Sequence, residues 1–234
     1  MKFIPLPAGR AGAGPRRRRG STMPRLSVSM ALLWSLGTAH AAPMGFKESV
    51  MAMGDFSENW REAWVNYALT ARDAVGAGGI RMRSDDKRKT RTLVDVNYTR
   101  LLKRWNLPHS QANVWLFAGA GEIRGNDFPG SRFVYTPGFQ VDYETTRVYL
   151  AATARLYRAT GLNHDFGSVR VGFSFYEVDY QEVQPWLVLE ARRMRGLSDK
   201  TEITPMLRLI HNRYFVELGV NNSRQARANF MYVF

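Results

Sequence analysis

Cysteine is absent from all 234 residues. In an exported protein this excludes a disulfide framework and leaves stability to a packed core or a closed hydrogen-bonded sheet. Long apolar runs are missing too. Beyond the N-terminal region no segment holds 18 consecutive apolar residues, so no helix spans a bilayer. A chain that crosses a membrane without such helices has one option left, a closed β-barrel, because lipid cannot satisfy an open sheet edge. Acidic residues are absent from 1–42, which hold seven Lys+Arg; the rest carries 26 positive and 20 negative groups. The formal charge of +13 therefore overstates the basicity of the main domain, and nucleic acid is not an expected partner. Phosphate-cradling glycine motifs, a nucleophile elbow, linkers and internal repeats are also missing, and no cofactor is expected.

What is present lies first at the two ends. The chain closes on Ala226-Arg227-Ala228-Asn229-Phe230-Met231-Tyr232-Val233-Phe234. Phe230, Tyr232 and Phe234 share one strand face, since strand side chains alternate with period two. This tail resembles the closing strand of Gram-negative outer-membrane β-barrels, which end on Phe with aromatic or apolar residues at alternate positions before it. The resemblance implies that Phe230, Tyr232 and Phe234 are read by the barrel-assembly machinery and that the domain sits in outer-membrane lipid.

At the other end, Arg16–Arg19 and Arg25 precede an apolar stretch near Leu26–Leu36, followed by Ala39-His40-Ala41. Cationic region, short apolar run and small-x-small site are the layout of a secretory signal peptide. Residues 1–41 are expected to be that signal and 42–234 the barrel domain. Met23-Pro24-Arg25 already opens a complete short signal, which makes Met23 an alternative start. The apolar residues that should follow a twin-arginine pair are missing, which favours the general secretory route.

Alternation runs through the main domain. Val94, Val96 and Tyr98 alternate with Asp95, Asn97 and Thr99; Val169, Val171 and Phe173 alternate with Arg170, Gly172 and Ser174. One face is apolar and the other mixed and charged, as in a lipid-out, polar-in barrel. A soluble barrel would reverse the faces. The two termini favour the membrane assignment. The pattern predicts an all-β, antiparallel up-and-down barrel with strands near 48–55, 62–71, 76–84, 89–103, 111–123, 132–143, 145–157, 167–179, 184–195, 200–211, 213–221 and 226–234. Twelve is an even number, as bacterial barrels require; ten strands, with 43–60 as a plug, is the rival. Loops near 56–61, 85–88, 124–131, 158–166, 196–199 and 222–225 are expected on one side. Short turns lie on the other, with Arg104–Ser110 as a longer exception. Pro137, Pro185 and Pro205 inside strands suggest bulges or strand ends. Tyr135, Tyr143, Tyr214, Tyr232 and Phe234 are candidates for interfacial girdles. Gly76, Gly78 and Gly79 suggest a strand turn with close backbone approach.

The same register turns Arg81, Arg91, Arg147, Arg155, Arg170, Arg192 and Arg208 inward. With them go Asp95, Asp142, Glu144, Glu190, Glu202 and Glu217, and the rings of Trp64, Trp115, Tyr149, Tyr157, Tyr176 and Trp186. Eight strands leave a filled interior and sixteen a water channel, so twelve can be either. One reading pairs the charges and packs the lumen. The other makes Arg155, Arg170, Arg208 and Arg147, with Glu190 and Glu217, a narrow path for small anionic solutes. Enzymatic and ligand-binding alternatives are a rim hydrolase or lipid-modifying enzyme and a soluble periplasmic barrel that takes an apolar ligand. For the enzyme, His164-Asp165 is expected in an outward loop, where Asp127 or Ser131 approaches. His109 and His211 fall on the other side. Met44, Met51 and Met53 cluster near the start of the domain; thioethers suit Cu(I), but packing is the expected role and no metal site is assigned.

Overall fold

A computed structural model describes residues 42–179 and 181–234; the signal peptide expected over 1–41 lies outside the described residues. The described chain is all strand and turn. The strands are β1 (Val50–Phe56), β2 (Trp60–Ala68), β3 (Asp73–Arg83), β4 (Thr90–Leu107), β5 (Ser110–Gly125), β6 (Ser131–Tyr135) and β7 (Gly138–Thr145). They continue as β8 (Val148–Ala159), β9 (Leu162–Phe173), β10 (Gln184–Arg195), β11 (Thr201–His211), β12 (Tyr214–Val220) and β13 (Ala226–Val233).

Apart from β6 and β7, strands adjacent in sequence pair antiparallel, and β1 pairs with β13, from Met51↔Val233 to Phe56↔Ala228. The sheet is therefore closed and has no free edge. β6 and β7 are two halves of one stave. Both lie between β5 and β8, separated by Thr136-Pro137. Thirteen strands thus make the twelve staves that alternation predicts. Pro137 sits in that break, where its missing N–H costs no ladder bond. At Pro205 the β11–β12 register begins one residue later, at Met206↔Gly219.

The end where β1 begins and β13 finishes will be called the near end; the opposite end is the far rim. The rim carries 57–59, 84–89, 126–130, 160–161, 196–200 and 221–225, the side expected for the loops. Two expectations need correction at the near end. Arg104–Ser110 is no long turn: β4 runs to Leu107, and only Pro108-His109 separates it from β5. The longest near-end connection is instead 174–183, between β9 and β10. The hairpin β4–β5 absorbs its length through a bulge between Leu101 and Lys103, which lets the ladder continue to Leu107↔Ser110. Gly76, Gly78 and Gly79 lie inside β3, not at a turn. Close approach is nonetheless real: a Cβ on Gly76 would stand 2.4 Å from the Val65 carbonyl.

The two faces behave as opposites. Outside are Val94, Val96, Phe133, Leu150, Val169, Val171, Leu187, Leu189, Leu207 and Leu218, all exposed. Inside are the buried aromatic and methionine side chains together with buried Asp, Glu and Arg. Tyr135 is exposed toward the far rim; Tyr143, Tyr214 and Phe234 are exposed near the opposite end. Tyr214 and Tyr232 pack at 4.6 Å, and Tyr232 meets Phe234 edge-on at 4.6 Å. Phe230 stacks on Phe56 across the β1–β13 seam. All three tail aromatics therefore lie on the outer wall, as their parity requires.

Candidate functional site

Strand parity gathers a set of buried charges in the lumen. β9 contributes Arg170, β10 Glu190 and Arg192, β11 Glu202 and Arg208, β12 Glu217, β13 Arg227 and Asn229, and β1 Asp55. These side chains form one alternating chain across the wall. Arg208 Nε donates to Glu217 at 2.8 Å. Glu217 also receives Arg170, which reaches Glu190 at 3.3 Å. Glu190 and Asp55 are each 2.7 Å from Arg227. Arg192 then joins Asp55 at 3.3 Å to Glu202 at 2.7 Å. Four arginines and four carboxylates alternate, so the chain is neutral as well as buried. Buried charges survive only when paired and hydrogen-bonded in this way. Asn229 adds a donor to Glu217 at 2.7 Å.

A second group faces it. Arg155 of β8 spans Glu62 of β2 at 3.2 Å and Asp95 of β4 at 3.0 Å. Thr136, in the β6–β7 break, donates to the same Asp95 oxygen at 3.2 Å. Toward the near end Asp142 accepts from Asn113 at 2.6 Å, Trp115 Nε1 at 2.8 Å and Gln140 at 3.1 Å. At the far rim Arg91 holds Asp127 at 2.7 Å; that hydrogen bond keeps the Asp127 carboxyl below the usual carboxylate range. The other Arg91 branch lies 3.2 Å from His164 Nδ1. A guanidinium only donates, so Nδ1 is the acceptor and the proton of the neutral ring is on Nε2.

Between the two charged walls lies a cavity of about 190 Å³. Asp55, Glu62, Asp95, Glu190, Arg155, Arg170 and Arg227 supply its charges; Asn97, Gln140 and Asn229 add neutral polar groups. Above it, toward the far rim, Trp60, Ile80, Met82, Leu93, Ile123, Val134, Tyr157 and Leu162 close into an apolar cluster, with Phe166 against it. Two further clusters fill the wall below. One holds Met51, Tyr149, Trp186, Met206 and Phe215; the other holds Met44, Leu101 and Trp115. The lumen is thus a polar chamber between apolar layers.

Apolar residues face outward and ion pairs inward around a closed sheet, the inverse of a soluble core. This is a β-barrel of the membrane-spanning kind. The soluble barrel with an apolar pocket is excluded by that polarity.

The structure brings together Arg155, Arg170, Arg208, Glu190 and Glu217 as expected. It moves others. Arg147 is in the Thr146-Arg147 turn, exposed, its Nε on the Ser174 carbonyl at 3.1 Å and its guanidinium over Phe173. Arg81 is exposed on the outer wall, and Tyr176 is exposed in 174–183. His164 is not in a loop. The turn is Thr160-Gly161, with Gly161 at φ +67°, so β9 starts at Leu162, five residues before the expected 167. His164 is then 1% exposed and stacked on Tyr157 at 4.4 Å. Asp165 points the other way and binds Arg158 at 2.5 Å and Arg195 at 2.7 Å. A His164–Asp165 pair cannot form from opposite faces of one strand, which removes the basis for a rim enzyme. Met51 and Met53 share one apolar cluster, while Met44 belongs to another, so the three thioethers do not converge. Asp55, Glu62, Arg227 and Asn229 were missed. Arg227 was legible: it has the parity opposite to Phe230 and Tyr232.

No family model matches the chain, and no curated protein matches it in sequence. Solved structures give distant likenesses. A KdgM porin is 13% identical with a TM-score of 0.46, over 80% of this chain and 98% of that one. A structure of KdgM porin in complex with disordered oligogalacturonate is 12% identical, TM-score 0.44, over 80% and 98%. CdiB from Acinetobacter baumannii is 9% identical, TM-score 0.32, over 82% of this chain and 61% of that one.

Proposed function

We propose that this barrel is a passive, narrow channel for small hydrophilic solutes. The supporting observation is the polar chamber of about 190 Å³ held open inside a lipid-facing barrel. That space takes several waters, each of which occupies about 30 Å³ in the liquid. The apolar layer of Trp60, Tyr157 and Phe166 closes the chamber on its far-rim side and would gate by reluctance to wet. Export by cleavage after Ala41, with the far rim outward, belongs to the same proposal. So does reading of Phe230, Tyr232 and Phe234 by the assembly machinery.

Small anionic solutes are the finer reading. Their carboxylate or phosphate would exchange for protein acids on Arg155, Arg170 and Arg227. Arg91, Arg155, Arg170, Arg192, Arg208 and Arg227 are each paired with a carboxylate, and the chamber wall carries three arginines against four carboxylates. Selectivity should therefore be weak. The test is single-channel recording of the refolded domain in a planar bilayer under a salt gradient. A small steady conductance is expected, rising several-fold in Trp60→Ala with Phe166→Ala. Arg155→Glu with Arg170→Glu should shift the reversal potential toward cations. A folded, inserted barrel that stays silent in wild type and widened variant alike would mean a packed structural barrel instead.

A further inference from the structure

The outer wall carries one feature that the channel reading does not use. Arg61 of β2 and Arg81 of β3 are direct cross-strand partners, both exposed and both outward. The register extends their row through Thr92 to Arg124. Arg124 has Glu122 as a partner at 2.6 Å. Neither Arg61 nor Arg81 has an ion pair or side-chain hydrogen bond among the described residues. Like charges directly opposite on a sheet repel, and neighbouring strands are only about 4.8 Å apart. The next row toward the membrane centre is Ala63↔Gly79↔Val94↔Glu122, whose one charge, on β5, is paired with Arg124, and the one below it is the wholly apolar Val65↔Ala77↔Val96↔Ala120. The arginine pair therefore stands at the upper edge of the apolar band, on the far-rim side. There an arginine costs least on a barrel's lipid face. Two adjacent guanidinium forks suit one phosphate, which they can bind bidentately and which removes their repulsion. The small side chains of Ala63, Gly79 and Ala77 leave the wall beneath flat, with room for acyl chains.

We propose that Arg61 and Arg81 bind the phosphate of an anionic membrane lipid, a phosphorylated glycolipid of the outer leaflet. The inference rests on the outer-membrane reading but not on channel activity. The test is native mass spectrometry of the detergent-solubilised domain with diphosphorylated lipid A, dephosphorylated lipid A and inorganic phosphate as probes. Wild type should retain diphosphorylated lipid A as a discrete adduct and ignore the dephosphorylated form. Arg61→Gln with Arg81→Gln should weaken retention about tenfold, or about 1.4 kcal/mol. Equal retention by that variant would overturn the proposal. Inorganic phosphate binding as well as the lipid would overturn the lipid assignment and leave a simple anion site. Neither side chain enters the lumen, so heat-modifiable gel migration should survive the double change; if it does not, the single variant Arg61→Gln carries the comparison. A wild-type domain that stays folded without detergent would sink the membrane reading itself, a separate outcome.

Discussion

Glu217 shows what a single buried group does in this lumen. It is 0% exposed and accepts from Arg208, Arg170 and Asn229. Replacing it by glutamine keeps the shape but leaves Arg208, which has no other acid partner among the described residues, without a counter-charge. Breaking a buried pair from one side costs about 3–5 kcal/mol. Glu217→Gln should lose that much in reversible urea unfolding from lipid vesicles. Adding Arg208→Gln should recover part of it, because the stranded charge is then gone. A Glu217→Gln barrel as stable as wild type would contradict the network. At this scale the sequence was legible for most residues inside a strand, with Arg81 of β3, which faces outward, as an exception. Parity placed Arg155, Arg170, Arg208, Glu190 and Glu217 correctly. It failed at Arg147, where β7 ends at Thr145 and β8 resumes at Val148, so alternation has no meaning.

Elements were legible in proportion to their regularity. β10 runs over 184–195 as alternation predicts, because neither of its ends competes with turn chemistry. β9 was misplaced because Gly161-Leu162-Asn163-His164-Asp165 has a loop's composition. A two-residue turn suffices, and cross-strand pairing with β8 from Ala159↔Leu162 onward overrides local preference. The β6–β7 break was announced by Pro137, but the chain alone does not tell that Thr136 would use it to reach Asp95. Within β5, glycine marks the tightest contact of the ladder. A Cβ on Gly121 would stand 2.0 Å from the Val94 carbonyl and 2.7 Å from Asp95 Cα. Gly121→Val should therefore prevent the β4–β5 register and abolish the heat-modifiable band on a gel. Gly167, with nothing within 4 Å of its virtual Cβ, is the control: Gly167→Ala should shift stability by no more than about 0.5 kcal/mol. Equal damage from both substitutions would show that general strand propensity, not the contact at Val94, is responsible.

On the scale of the whole molecule, closure was legible from the outset, since a sheet in lipid must leave no edge. What holds the closure was not, because the partners are far apart in sequence. Asp55 on the first strand joins Arg227 on the last and Arg192 on the tenth. Asp55→Asn should lower the temperature at which the compact gel form converts to the extended one; the same change should leave the outward aromatic contacts of Phe56 with Phe230 intact. An unshifted transition would mean that backbone pairing alone seals the seam. The final strand has two sides with different readers. Its outer aromatics are, in the proposed reading, the address presented during delivery. Its inner residues, Arg227 and Asn229, act as a checksum, matched only when the strand arrives in frame. A slip of one residue would carry both into hydrocarbon and leave Asp55 and Glu217 facing apolar side chains. Arrival in the wrong frame is thus unstable on both walls at once, and the barrel proofreads its own last step.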